Sequence, residues 1–147
     1  MNRSVHVETR RDRYVERISI GPHVLEVDEP SDAGGADVGP SPYELLLAAL
    51  GSCASITVRM YAERRQWPLE GVHIVLTHAK AHAADCAACE SDTSMIDRIE
   101  MEITLLGALS PDQHARLMQI ASKCPLHRTL TSGIEIHSRQ ASATPPP

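Results

Sequence analysis

Residues 41–50 constrain this chain more than any other stretch. Ser41 is a good helix N-cap, Pro42 suits the first helical position, and Glu44 three residues after the cap completes a capping box. The spacing predicts a helix from Pro42 to about Gln66, about 37 Å long at ~1.5 Å per residue. Its first half, Leu45-Leu46-Leu47-Ala48-Ala49-Leu50, is apolar on every side. A helix apolar all round is one buried all round, so the pattern predicts a long central helix covered on most faces.

The flanking segments have a different period. Ser4 to Thr9, Glu16 to Ile20 and His23 to Asp28 read as short strands, with Gly21-Pro22 as the turn between the last two. Beyond Pro68 the apolar period is two: Val72, Ile74 and Leu76 share a face that His78, Lys80 and His82 continue. Ile99, Met101, Ile103 and Leu105 alternate with Arg98, Glu100, Glu102 and Thr104, the pattern of a half-buried antiparallel strand. A second capping box, Ser110-Pro111-Asp112-Gln113, opens a helix whose apolar stripe is Leu117, Ile120, Ala121 and Cys124. Pro125 is expected to disrupt it, with a short turn through Leu130 and a final strand from Ile134 to Ser138. The order β-β-β-α-β-β-α-β predicts an α+β fold, a long buried central helix packed on antiparallel sheets. The 147 residues suit one domain, taken as residues 1–140, with Ala141 to Pro147 as a disordered tail.

Composition closes several function classes. Lys plus Arg number 14 against 19 for Asp plus Glu, a net charge of −5, which argues against a nucleic-acid partner or a membrane-surface role. The apolar run Leu45 to Gly51 is far short of the ~20 residues of a membrane span, and the charged N-terminus has no apolar signal region. A cytoplasmic location is therefore expected, where the four cysteines rest reduced. Aromatic residues are 3% of the chain, with no Phe, so stacking platforms for bases are not expected.

Two of the cysteines sit on the predicted core faces. Cys53 lies about three turns into the first helix, and Cys124 ends the stripe of the second. Two readings stand: each is a small buried hydrophobe, or the two form a thiol pair, one nucleophilic and one resolving. A free thiol is only a few per cent thiolate at neutral pH, and lowering its pKa by three units takes about 4 kcal/mol of preferential anion stabilisation. An Arg held by a carboxylate supplies that kind of stabilisation. Glu44 is the carboxylate on the same helix, and it is equally read as the capping-box residue.

The stretch Gly39-Pro-Ser-Pro-Tyr-Glu-Leu-Leu-Leu-Ala-Ala-Leu-Gly-Ser-Cys53 resembles the central-helix motif of the OsmC/Ohr family of thiol peroxidases. Ile120-Ala-Ser-Lys-Cys-Pro-Leu-His-Arg-Thr-Leu130 resembles the family's second cysteine motif, and Asp28-Glu-Pro, Gly34-Gly35 and Gly107 extend the likeness. The resemblance implies an intertwined homodimer of OsmC-like fold with active sites at the subunit interface. It implies a peroxidase acting on organic hydroperoxides, with Cys53 as the peroxidatic thiolate and Cys124 as the resolving thiol. A dithiol donor, a lipoylated or thioredoxin-like protein, would then reduce the disulfide, and no cofactor or metal is implied.

The sequence departs from the family pattern beside the thiol. Tyr43 stands directly after Pro42, where peroxidase members usually carry Glu, and Glu44 comes one residue later, about 100° round the helix. Between Ile18 and Val58 there is no Arg or Lys. Arg17 is the nearest upstream candidate for the stabilising cation, with Arg13 behind it, Arg59 on the helix face turned away from the thiol, and Arg128 following Cys124. His78, His82, Cys86 and Cys89 form a second cluster, read as a weak zinc site, a redox pair or a plain surface loop. The rival readings to a peroxidase are a thiol redox sensor or small apolar ligand binder on the same fold, and a zinc-stabilised module.

Overall fold

The computed structural model describes residues 3–9, 13–82 and 95–141. Strands β1 (Val5–Thr9), β2 (Glu16–Ile20) and β3 (His23–Val27) form an antiparallel sheet in that order. Directly opposed residues share a face, so the register puts Val7, Ile18 and Leu25 in one row, with Val5 and Ile20 beside them. The other face carries Glu8, Arg17 and Glu26 in a row of alternating charge.

The turn from this sheet to the first helix is organised by one carboxylate. Asp28 is buried, and its oxygens accept from the backbone N–H groups of Glu29, Ala36 and Val38 at 2.8, 2.8 and 3.4 Å. Gly35 passes so close to the Glu29 carbonyl that a Cβ there would collide with it. The loop therefore folds back on itself, and the Asp28 N–H reaches the Pro40 carbonyl just before the helix begins.

Helix α1 (Pro42–Arg64) starts as the sequence predicts: Ser41 Oγ accepts from the Glu44 N–H, and the Glu44 carboxylate accepts from the Ser41 N–H at 2.7 Å. It ends two residues early, because Gln66 turns left-handed with φ 55° and the Trp67 N–H returns to the Ala62 carbonyl. By length and composition α1 is apolar enough to cross a membrane. Here it is packed against β4, α2 and α3 of its own chain.

Strands β4 (Gly71–His82) and β5 (Met95–Leu106) make a long antiparallel ribbon with Ile74 opposite Ile103 and Leu76 opposite Met101. The ribbon lies against α1, and Gly51 is the point of closest approach: a Cβ there would meet Leu76 Cδ1 at 2.7 Å. Helix α2 (Pro111–Ala121) opens on the second capping box, with both reciprocal bonds present.

Two cores result. Val58, Ala62, Leu117 and Ala121 are buried at the α1–α2 contact, backed by Val72, Ile103 and Leu105 of the ribbon. Leu50, Ala54 and Cys124 are buried at the other end of α1, backed by Ile74, Leu76, Ile99 and Met101. Burying a side chain of Leu size contributes roughly 1.5–3 kcal/mol.

Three expectations are corrected. The burial of α1 is one stripe (Leu50, Gly51, Ala54, Val58 and Ala62) rather than most of its surface, because the described residues supply covering elements on one side only. The turn after Pro125 is a helix, α3 (Pro125–Ser132), since the proline stands at its first position, where a missing N–H and a fixed φ are assets. Residues 134–138 are not a strand. They are irregular and exposed, Ile134 at 55% and Ile136 at 84%, and no described strand of this chain lies beside them to complete a ladder.

Candidate active site

α1 and α3 bring Cys53 and Cys124 together. Cys53 is half-buried and packs against the cluster of Leu50, Ala54 and Cys124. Its carbonyl accepts from Thr57 Oγ1 at 2.7 Å, one turn further along the helix. Cys124 is fully buried and is the N-cap of α3: its Sγ accepts from the His127 N–H at 3.3 Å. Burial pushes the Cys124 thiol above the ordinary value of 9.0, and the neighbouring Cys53 thiol adds to the rise. The N–H groups of His127 and Leu126 pull the other way without cancelling it. The pair is thus one partly buried cysteine and one fully buried cysteine.

The other residues singled out from sequence lie elsewhere in the chain. The Glu44 carboxylate is engaged in the capping box, whose bonds hold its pKa below the usual carboxylate value. Arg17 is on β2, opposite Glu8 and Glu26. No residue of β1 to β3 belongs to either core cluster. Arg13 donates to the Gly34 carbonyl, and Arg59 is turned to the Glu70 carbonyl, away from the thiols. Arg128 is exposed on α3.

A feature not read from the sequence lies at the first turn of α1. The Tyr43 ring stacks on His78, with centroids 4.6 Å apart, and His78 Nε2 contacts Asp97 at 2.8 Å. Lys80 shares the same carboxylate at 3.2 Å. The His78 and Lys80 contacts hold Asp97 below its ordinary pKa. The alternation of β4 put His78 and Lys80 on one face, but the register that sets Asp97 opposite Lys80 is not written in either strand alone. Cys86 and Cys89 lie outside the described residues. Among the described residues no three His, Cys, Asp or Glu side chains are grouped as a metal site.

A cavity of about 250 Å³ opens between α1, β5 and α3, lined by Leu50, Ile99, Met101 and Leu130 with Asp97, His127 and Thr131. It shares its four apolar residues with the core around Cys124. A separate groove of about 280 Å³ runs along the second half of α1, lined by Thr57, Met60, Tyr61, Arg64, Ile120 and Pro125.

Fold and site together define an α+β protein in which two helices hold a cysteine pair against an antiparallel ribbon. Residues 34–139 match the sequence profile of OsmC-like proteins, and the chain belongs to that family. No curated protein sequence matches it. Among solved structures, an OsmC-like protein from Mycoplasma pneumoniae superposes with a TM-score of 0.71 at 16% identity, covering 89% of this chain and 88% of that one. An organic hydroperoxide resistance protein OsmC from Legionella pneumophila gives 0.64 at 16% identity, covering 87% and 88%. The organic hydroperoxide resistance protein OhrB of Bacillus subtilis gives 0.59 at 15% identity, covering 87% and 89%. At these identities the likeness is one of fold.

Proposed function

We propose that this protein is a thiol-dependent peroxidase that reduces organic hydroperoxides through Cys53 and Cys124. The observation that carries the reading is the contact between a half-buried thiol and a fully buried one inside a single apolar cluster. The Cys53 thiolate attacks the O–O bond of the hydroperoxide, taking one oxygen as a sulfenic acid and releasing the alkoxide, which leaves protonated as an alcohol. The Cys124 thiol condenses with the sulfenic acid, forming the disulfide and water. A dithiol donor, lipoylated or thioredoxin-like, then returns both thiols and leaves as its own disulfide. Apolar surroundings favour a substrate with an alkyl body, which gains from desolvation. The chemistry calls for no cofactor.

In this reading Arg17 is the cation offered to the thiolate and Glu44 the carboxylate that holds it. Within one chain they belong to separate elements. Their use therefore goes with a homodimer, in which the N-terminal sheet of a second copy closes over the first half of α1. Exposed apolar residues, Val5 and Val7 on the sheet and Ile56 on α1, support association of two copies, while Arg17 stands on the sheet's other, charged face, which has to meet Glu44. Residues 1–140 act as one domain, and the protein works in the cytoplasm.

One observation favours a second reading, a thiol sensor or small apolar ligand binder. Arg13 and Arg59 are bonded to backbone carbonyls, and an apolar cavity abuts the cluster around Cys124. Stopped-flow titration of the reduced protein with cumene hydroperoxide separates the two. The expected result is rapid consumption and a Cys53–Cys124 disulfide found by mass spectrometry, both lost in Cys53→Ser. Intact thiols after exposure to excess peroxide overturn the peroxidase and leave the second reading.

A further inference from the structure

The two sulfurs of the proposed pair differ in access and in what receives them, and the difference bears on how the disulfide is reopened. Thiol–disulfide exchange is an in-line displacement: the incoming thiolate approaches one sulfur from the side opposite the other, which leaves as a thiolate. Cys124 Sγ is enclosed by Leu50, Ala54, Leu126 and Leu130, and the residue has 0% exposure. Cys124 therefore presents no exposed surface to an incoming thiol. Cys53 is partly exposed. A groove of about 280 Å³ lies along the second half of α1, lined by Thr57, one turn from Cys53, and by Pro125, next to Cys124.

Departure of the leaving sulfur is matched at the other end. Cys124 caps α3, an eight-residue helix, and its Sγ already accepts the His127 N–H at 3.3 Å. Burial opposes a negative charge on that sulfur, and the His127 N–H and the positive end of the helix dipole offset part of that cost. A charge developing on Cys53, in the middle of α1, meets neither, because the N–H groups there are used within the helix.

We propose that the dithiol reductant attacks Cys53 and expels Cys124, so that oxidant and reductant use the same sulfur and the first turn of α3 receives the leaving thiolate. The proposal rests on the Cys53–Cys124 pairing of the reading above. In the step, the reductant thiolate bonds to Cys53 Sγ, the Cys53–Cys124 bond breaks, and its electron pair goes to Cys124 Sγ, which then takes a proton. The second thiol of the reductant attacks the mixed disulfide and releases Cys53.

The test does not require peroxidase activity. The disulfide is made in the purified full-length protein with diamide, which is reduced to its hydrazine. It is then exposed to cysteamine, a monothiol that cannot complete the second step. Acid quenching, alkylation and peptide mass spectrometry locate the adduct. The expected result is cysteamine on Cys53 and an alkylated Cys124. Adduct on Cys124, an even split between the two, or no disulfide with diamide overturns the proposal. His127→Pro removes the backbone donor at a position in the first helical turn where proline is tolerated, and is expected to slow reduction by about tenfold. His127→Ala keeps the amide and controls for loss of the side chain, and reduction is expected to be slower in His127→Pro than in His127→Ala. Equal rates for both variants remove the role given to α3, and the wild-type adduct site stands as a test whether or not His127→Pro folds. Peroxide that is not consumed while the adduct forms on Cys53 counts against the peroxidase alone.

Discussion

The N-terminal sheet and the helical body of this chain use similar side chains to opposite ends. In the body, Val58, Leu117 and Ala121 interlock and are fully buried. In the sheet, Val5, Val7, Ile18, Ile20 and Leu25 line one face just as apolar, yet Val5 and Val7 remain more than half exposed. Strand pairing satisfies the sheet's backbone; it does not cover its face. The body's stability is therefore internal, and the sheet's depends on what covers it.

The sharpest way to expose that contrast is a cavity in the body. Leu117→Ala is expected to lower the unfolding free energy by about 2–5 kcal/mol, read from urea denaturation at unchanged m-value. A charge on the apolar face of the sheet should act differently. Ile18→Glu is expected to shift the particle mass in light scattering from dimer to monomer and to lower the unfolding free energy of the monomer by no more than about 1 kcal/mol. A wild-type protein that is monomeric at micromolar concentration breaks the comparison.

The smallest effect sits at the junction of the two regions. Burial alone would raise the Asp28 pKa, but its backbone N–H bonds, with Ala36 foremost, hold it below the ordinary 3.8. A lowered carboxylate stabilises the fold above its unfolded-state pKa and loses that contribution as pH falls through the folded value. Wild type is thus expected to lose stability below about pH 3.8, and Asp28→Asn to lose less over the same window. Parallel acid titrations of unfolding check this.

How much of this was legible beforehand follows the range of each interaction. Both capping boxes, the two-residue period of the ribbon and the starts of α1 and α2 are local, and they were read from Ser41, Glu44, Ser110 and Gln113. The cysteine pair came from two motifs, each local in itself. What escaped needed partners distant in sequence. The Tyr43–His78–Asp97 contact depends on strand register, and α3 depends on Cys124 serving as a cap, a role thiols fill less often than hydroxyls. The strand expected at Ile134 to Ser138 has the right alternation, but alternation describes a surface and does not supply the neighbour to pair with.

Gly51 carries a mechanical consequence. With no side chain there, Leu76 fills the gap in α1 like a pin in a slot, and the helix can neither slide along the ribbon nor roll without lifting off it. Cys53, two residues on, is thereby fixed in depth and angle. The travel that brings the sulfurs to about 2.05 Å is then left to the Cys53 side-chain torsion and to the short helix that Cys124 caps. The anvil is the backbone of α1, and the moving parts are that side chain and that helix.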